Sequence, residues 1–232
     1  MTPTGTPRMR IACLHTAESN IAVFAAVCPG AGVRLDHVVR ADLLAAAEGS
    51  GHVTREIADQ AADALLRLAE TADAVVLTCS TLGPVVDEIA ASTPVPVLRV
   101  DGALAEAATR AGRRIVALCA VATTVEPTRS LFAAAAAANG SQVEIRLVPG
   151  AWDEFKAGRL ARYHALIAAA ADAAYRGGAD VVALAQASMA GAADLCRAGL
   201  PLASPAVGLA AALRAAGGLT PRHTRMSLGE TP

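Results

Sequence analysis

The sequence predicts an α/β protein of two pseudo-symmetric lobes, each built on a parallel, Rossmann-like sheet, with an active-site cleft between them. Three observations carry this reading. Short apolar, β-branched runs alternate with helical patterns along the chain, the order that builds parallel sheets. The order restarts near residue 113. Sliding the chain by 107 residues superposes Ala72-Asp73 on Ala179-Asp180, Val75 on Val182, Leu77 on Leu184, Thr81 on Ser188, Asp87 on Asp194 and Pro94 on Pro201.

The first half opens with a strand at 9–14 that ends in His15-Thr16. A helix over 18–27 is closed by the turn cluster Cys28-Pro29-Gly30-Ala31-Gly32. Residues 33–39 alternate as a second strand, and 41–48 form a short helix broken at Gly49-Ser50-Gly51. Residues 54–70 make a long amphipathic helix, with Ile57, Ala61, Leu65 and Leu68 near one face. At 72–84 a buried strand runs into a helix. Asp73 opens it, 74–77 is the apolar run, and Thr78, Cys79, Ser80 and Thr81 crowd its carboxyl end. Gly83-Pro84 launches the helix over 85–90, with Pro84 suited to its first turn. A strand at 95–100 and a helix at 102–110 complete this half.

The second half repeats the pattern: strand 113–119, helix 125–138, strand 142–148 and a short helical piece at 152–156. A long helix over 158–175 stops at Gly177-Gly178, a C-terminal signal. Strand 179–185, helix 189–197 and a last helix at 204–216 follow. The expected lobes are 8–100 together with the helix at 204–216, and 112–203; segments 1–7 and 217–232 read as flexible.

A chain of 232 residues with 54% hydrophobic side chains and a net charge of −1 has ample core for this plan. Alanine supplies much of that apolar fraction. The apolar stretch 131–138 is far below the roughly 20 residues a membrane span needs. No apolar signal core follows Met1, so a cytoplasmic location with no membrane partner is the expectation. A single lysine, Lys156, and few aromatic residues argue against nucleic acid. The cysteines Cys13, Cys28, Cys79, Cys119 and Cys196 show no paired spacing, which excludes a zinc ribbon and fits free thiols in a reducing compartment. No metal-ligand spacing or phosphate loop occurs, so no metal and no cofactor are expected. Alanine-rich helix faces suit a homodimer or higher oligomer.

Ligands of open α/β sheets bind beyond the carboxyl ends of the strands. Cys79 lies there, facing the N–H groups of a helix start, where a thiolate is stabilised. The repeat sets it opposite Gln186, with Ala187 and Ser188 opposite Ser80 and Thr81. The first strand of each half contributes His15 and Thr16, or Thr123 and Thr124. A cleft rich in hydroxyls and helix-start amides binds carboxylates, so the expected partner is a small carboxylic acid.

Thr78-Cys79-Ser80-Thr81 after an apolar strand, with a pseudo-symmetric second half, resembles the aspartate/glutamate/hydantoin racemase superfamily, which includes maleate isomerases and arylmalonate decarboxylases. The resemblance covers residues 9–216. In its two-cysteine members one cysteine from each lobe flanks the substrate carbon, one removing a proton and the other delivering it, without metal or cofactor. Here the second position falls at Gln186 in Leu184-Ala185-Gln186-Ala187-Ser188-Met189, and Cys196 is ten residues further on. The resemblance thus implies an isomerase on a small carboxylate or amino dicarboxylate with Cys79 as its single cleft thiol. A single-cysteine decarboxylase or lyase and a catalytically silent carboxylate binder are the alternatives. Ser80, Thr81, Thr123, Thr124, Gln186, Ser188, His15 and Thr16 are the candidate substrate contacts.

Cys13, Cys119 and Cys196 read as core filler. His15 reads equally as a site residue or a polar strand terminus, His52 as a structural loop residue, and Thr123 and Thr124 also as helix caps. Gln186 serves equally as a contact between lobes or with substrate. Gln186-Ala187-Ser188-Met189-Ala190 is a poor nucleophile elbow, because only His223 follows it.

Overall fold

The structure, a computed structural model, describes residues 9–30 and 32–217; of the segments expected to be flexible, 1–7 and 217–232, only Gly217 is among the described residues, where it ends the last helix. The first half runs β1 (Met9–His15), α1 (Ser19–Ala26), β2 (Val33–Val39), α2 (Ala41–Ser50), α3 (Arg55–Ala69), β3 (Ala74–Leu77), α4 (Pro84–Ile89), β4 (Val97–Arg99) and α5 (Val100–Ala111). The second runs β5 (Arg114–Cys119), α6 (Val125–Ala137), β6 (Gln142–Leu147), α7 (Ala151–Lys156), α8 (Leu160–Arg176), β7 (Val181–Leu184), β8 (Leu202–Ala203) and α9 (Ser204–Gly217). Each half forms a parallel four-stranded sheet, ordered β2-β1-β3-β4 and β6-β5-β7-β8.

The repeat is visible in the strand bounds. β3 and β7 are displaced by the same 107 residues at both ends, and both are buried on both faces. Such strands need continuous apolar runs, which Ala74–Leu77 and Val181–Leu184 supply. Asp73 accepts a hydrogen bond from the Arg10 N–H at 2.8 Å, and its counterpart Asp180 accepts from the N–H groups of Arg113 and Arg114 at 3.0 and 2.8 Å. These carboxylates fix the register where each central pair of strands begins.

Thr54 caps α3 by accepting from the Ile57 N–H, and Ile57, Ala61, Leu65 and Ala69 bury one stripe of it. Of residues 189–197, expected as an α-helix, 189–195 lie instead within a 3₁₀ helix over Ala187–Leu195, and Cys196 and Arg197 lie beyond its end. β8 was hidden by its length of two residues, too short for any periodicity to show. α5 starts at Val100 rather than 102, because the Asp101 carboxylate satisfies the free Gly102 N–H at 3.0 Å.

α9 connects the halves, and an arginine braces the turn after Cys79. α9 returns to the first sheet, where Leu209, Ala212 and Ala216 join Ile11, Cys13, Phe24, Ala74 and Val76 in one apolar core. It also packs on α5, where a Cβ on Gly208 would stand 2.9 Å from Val100 Cγ2. Arg99, at the end of β4, makes a two-pronged ion pair with Asp101 (3.0 and 2.9 Å) and reaches Asp87 on α4 at 3.0 Å. Its guanidinium fills the space above Gly83, where a Cβ would stand 2.4 Å from Nη2. Glycine there is what lets Arg99 lie against the turn that follows Cys79.

Candidate active site

The strand ends of the two sheets face each other across one pocket. Beyond β3 the chain places Thr78, Cys79, Ser80 and Thr81 on its wall; beyond β7 it places Gln186, Ala187 and Ser188. Thr16 and Asn20 enter from the segment around β1 and α1, and Val121 and Thr124 from the turn after β5. The pocket encloses about 500 Å³, part of it open to solvent. A contact between the halves closes its floor, where Ser80 Oγ donates to the Ala185 carbonyl at 3.4 Å.

Cys79 is buried. Burial pushes its thiol upward, while the Thr16 hydroxyl and the N–H groups of Leu82 and Thr81 pull the other way; the carboxylate of Asp101 adds to the rise. The expected stabilised thiolate is therefore not the balance reached: the helix-start amides are present, but loss of water outweighs them. At neutral pH this sulfur holds its proton.

Gln186 lines the same pocket, at the position the repeat assigns opposite Cys79. Its Oε1 accepts from the N–H groups of Ala120 at 2.5 Å and Val121 at 3.1 Å, so the side chain braces the turn after β5. An amide cannot trade protons with a substrate carbon at neutral pH. Ser188 is oriented from behind by Tyr163, whose hydroxyl lies 2.8 Å from Ser188 Oγ, and His164 Nε2 donates to its carbonyl at 3.0 Å. Burial raises the Tyr163 phenol to about 12, which leaves it un-ionised. Thr81 Oγ1 is buried without a partner on the pocket wall, a hydroxyl free to meet a polar ligand. Thr124 Oγ1 donates to the Val121 carbonyl at 2.7 Å.

Two sequence candidates stand apart from the pocket. His15 is fully buried beneath it: Nδ1 lies 2.9 Å from Thr78 Oγ1 and Nε2 lies 2.8 Å from His37 Nδ1. Burial, and then His37, lower its pKa to about 4, so the ring is neutral. Thr123 holds a buried hydroxyl with no partner but does not line the pocket. His52 is exposed in the turn between α2 and α3, where Nδ1 donates to the Ser50 carbonyl at 3.0 Å.

The sequence reading missed the far wall. Trp152 and Phe155 on α7 stack with ring centroids 4.9 Å apart, Phe155 leans on Tyr163, and Leu44 of α2 closes the apolar side. The one available signal was the chain's single tryptophan in a short helical piece after a strand. Among the described residues, no lysine, arginine, histidine, aspartate or glutamate lines the pocket.

A family model described as Asp/Glu/Hydantoin racemase matches residues 15–213. Among solved structures, the chain is similar to an aspartate racemase from Picrophilus torridus at 14% identity, covering 90% of this chain and 94% of that one, with a TM-score of 0.70. A glutamate racemase from Bacillus anthracis matches at 12% identity over 90% of this chain and 83% of its own, with a TM-score of 0.65. A mutant arylmalonate decarboxylase in its liganded form matches at 18% identity over 91% and 94%, with a TM-score of 0.58. No curated protein sequence matches the chain.

Proposed function

The chain belongs to the Asp/Glu/hydantoin racemase family, and from that premise we propose that it is a cofactor-independent isomerase acting on a small carboxylate through the single thiol of Cys79. The observation that carries the proposal is the pocket's one-sided chemistry. Among the described residues, Cys79 is the only group on the lining that can exchange a proton with carbon near neutral pH, and the repeat assigns Gln186 the opposite position. The substrate carboxylate would take the free Thr81 hydroxyl and the Ser80 side, with Thr16 beside the sulfur. Preorganised donors of this kind contribute a few kcal/mol each to a transition state that gathers charge on those oxygens. A pocket without a cation and with the Trp152–Phe155 pair on one wall suits an apolar second arm better than a second carboxylate. A small monocarboxylate with an aryl or alkyl arm is therefore favoured over an amino dicarboxylate. Five free cysteines support a reducing, cytoplasmic setting, and no helix among the described residues is long and apolar enough to cross a membrane.

One-sided proton delivery also favours a second reading, a decarboxylase. The bond from the substrate carbon to one carboxyl group breaks and carbon dioxide leaves. The electron pair stays as an enediolate, Cys79 gives its proton to that carbon, and water restores the thiol. The protonated state of the buried sulfur suits this acid role.

Both readings are tested by incubating the protein in heavy water with a panel of amino, aryl and dicarboxylic acids and following the α-carbon by NMR. Deuterium incorporation or loss of carbon dioxide with one substrate, abolished in Cys79→Ala with the fold intact, is the expected result. Turnover retained by Cys79→Ala would sink the assignment. A wild-type protein that binds an acid of the panel in calorimetry yet neither exchanges nor decarboxylates any of them would mark a silent binder.

A further inference from the structure

Behind the pocket, on the α1 and α9 side of the first sheet, three soft ligand side chains converge. Cys13 and His15 are two residues apart on β1 and point to one face, and His37 of β2 stands in register beside Cys13. Cys13 Sγ and one nitrogen from each histidine all lie within 4.8 Å of one another. We propose that Cys13, His15 and His37 form a binding site for a soft divalent transition-metal ion of the zinc class, separate from the catalytic pocket.

The hydrogen bonds fix the donor atoms. Thr78 Oγ1 donates its proton to the Leu14 carbonyl at 3.1 Å, so toward His15 Nδ1 it acts as acceptor. The His15 proton therefore sits on Nδ1, and Nε2 presents its lone pair to His37 Nδ1. A histidine whose second nitrogen is held by a hydroxyl–carbonyl relay is the arrangement that orients metal-bound imidazoles. One thiolate and two neutral imidazoles, with a fourth position left for water or another ligand, match the donor set of open zinc sites; hard cations would want carboxylates, and no carboxylate belongs to this group.

The fit requires the ligand atoms, which lie within 4.8 Å of one another, to shift toward tetrahedral spacing. Bonds of about 2.0–2.3 Å in a tetrahedral site put ligand atoms about 3.3–3.7 Å apart. The contact of 2.8 Å between the histidines must open by about half an ångström on that scale, and the half-exposed His37 ring can supply it. The same exposed side is the route of entry, since Cys13 and His15 are sealed beneath Phe24 and α9. Binding releases one proton, from the Cys13 thiol, and moves the His37 proton to its outer nitrogen.

Cobalt(II), a spectroscopic stand-in for zinc, is titrated into the full-length protein with its thiols reduced. One equivalent is expected to give a sulfur-to-cobalt charge-transfer band with tetrahedral visible bands, and zinc is expected to displace it. Cys13→Ala should lose the charge-transfer band. His37→Gln, at a partly exposed position and with its fold checked by circular dichroism, should weaken cobalt by more than the about 10- to 100-fold expected for the outer partner variant Thr78→Val. Cys79→Ser and Cys196→Ser should bind as the wild type does. Absence of the band at one equivalent overturns the proposal, as does its persistence in Cys13→Ala or unchanged affinity in His37→Gln. A band lost with Cys79 instead would place the metal in the pocket and equally overturn it.

Discussion

Replacing Arg99 by Met removes the cation that holds the turn after Cys79 while keeping most of the side-chain volume. Arg99 and Asp101 leave only 9% and 3% of their side chains exposed, and the two bonds between them are 3.0 and 2.9 Å long. The exchange leaves the Asp101 carboxylate buried with the Gly102 N–H as its remaining partner. Breaking a buried pair from one side costs about 3–5 kcal/mol. Asp87, the third member, is 70% exposed and rejoins water at little cost. Against a total stability of about 5–15 kcal/mol this is a large loss, corresponding to a Tm about 6–20 °C lower for a chain of this size. Urea unfolding followed by circular dichroism gives the free energy, and a thermal scan gives Tm. The double variant Arg99→Met with Asp101→Leu removes both charges and should recover most of the loss. A single variant within about 1 kcal/mol of wild type, or a double variant no better than the single one, would refute the reasoning.

The same carboxylate bears on the thiol. Asp101 is one of the influences raising Cys79, so Asp101→Asn should increase the rate of iodoacetamide alkylation at Cys79 near neutral pH; a slower rate would contradict this. Asp172 and Asp180 are held below the usual aspartate value of 3.8, chiefly by backbone N–H groups, of Ala198 and Arg197 for the first and of Arg114 and Arg113 for the second. Their contribution is present above that value and is lost as pH falls through the lower folded values, so stability should drop below about pH 4. Urea midpoints measured against pH should show a shallower acid limb in the variant carrying Asp172→Asn and Asp180→Asn, and an unchanged slope would rule these groups out. Gly208→Val should cost about 1–3 kcal/mol by driving α9 off Val100, a prediction that a raised Tm would defeat.

The elements set by local pattern were legible from the residues. β2 has the bounds its alternation predicts, and the 107-residue offset reappears in the bounds of β3 and β7. Each rests on side chains close together in sequence. What escaped depends on packing at a distance. Trp152 and Phe155 reach the pocket only because α7 docks beside Tyr163 of α8. The Cys13–His15–His37 group exists only because β1 pairs with β2 in one register, and nothing in the spacing of 22 residues between the histidines announces it. The protonation of Cys79 followed the same rule: its amide neighbours could be read from the strand–turn–helix order, whereas the depth of burial that outweighs them could not.

α9 gives the molecule an unusual timetable. Ile11 and Leu209 share one core, yet 198 residues of chain separate them. At a synthesis rate of about 5–20 residues per second, the ribosome needs about 10–40 s to make that stretch. From Arg99, where β4 ends, to Leu209, about 5–20 s at that rate, the first sheet has all its strands but is bare on the face that Leu209, Ala212 and Ala216 will cover. The second sheet, whose own buried apolar cluster is drawn from residues 116–192, has all its strands made before Leu209. The half that is translated first thus waits for α9 to cover one face of its sheet.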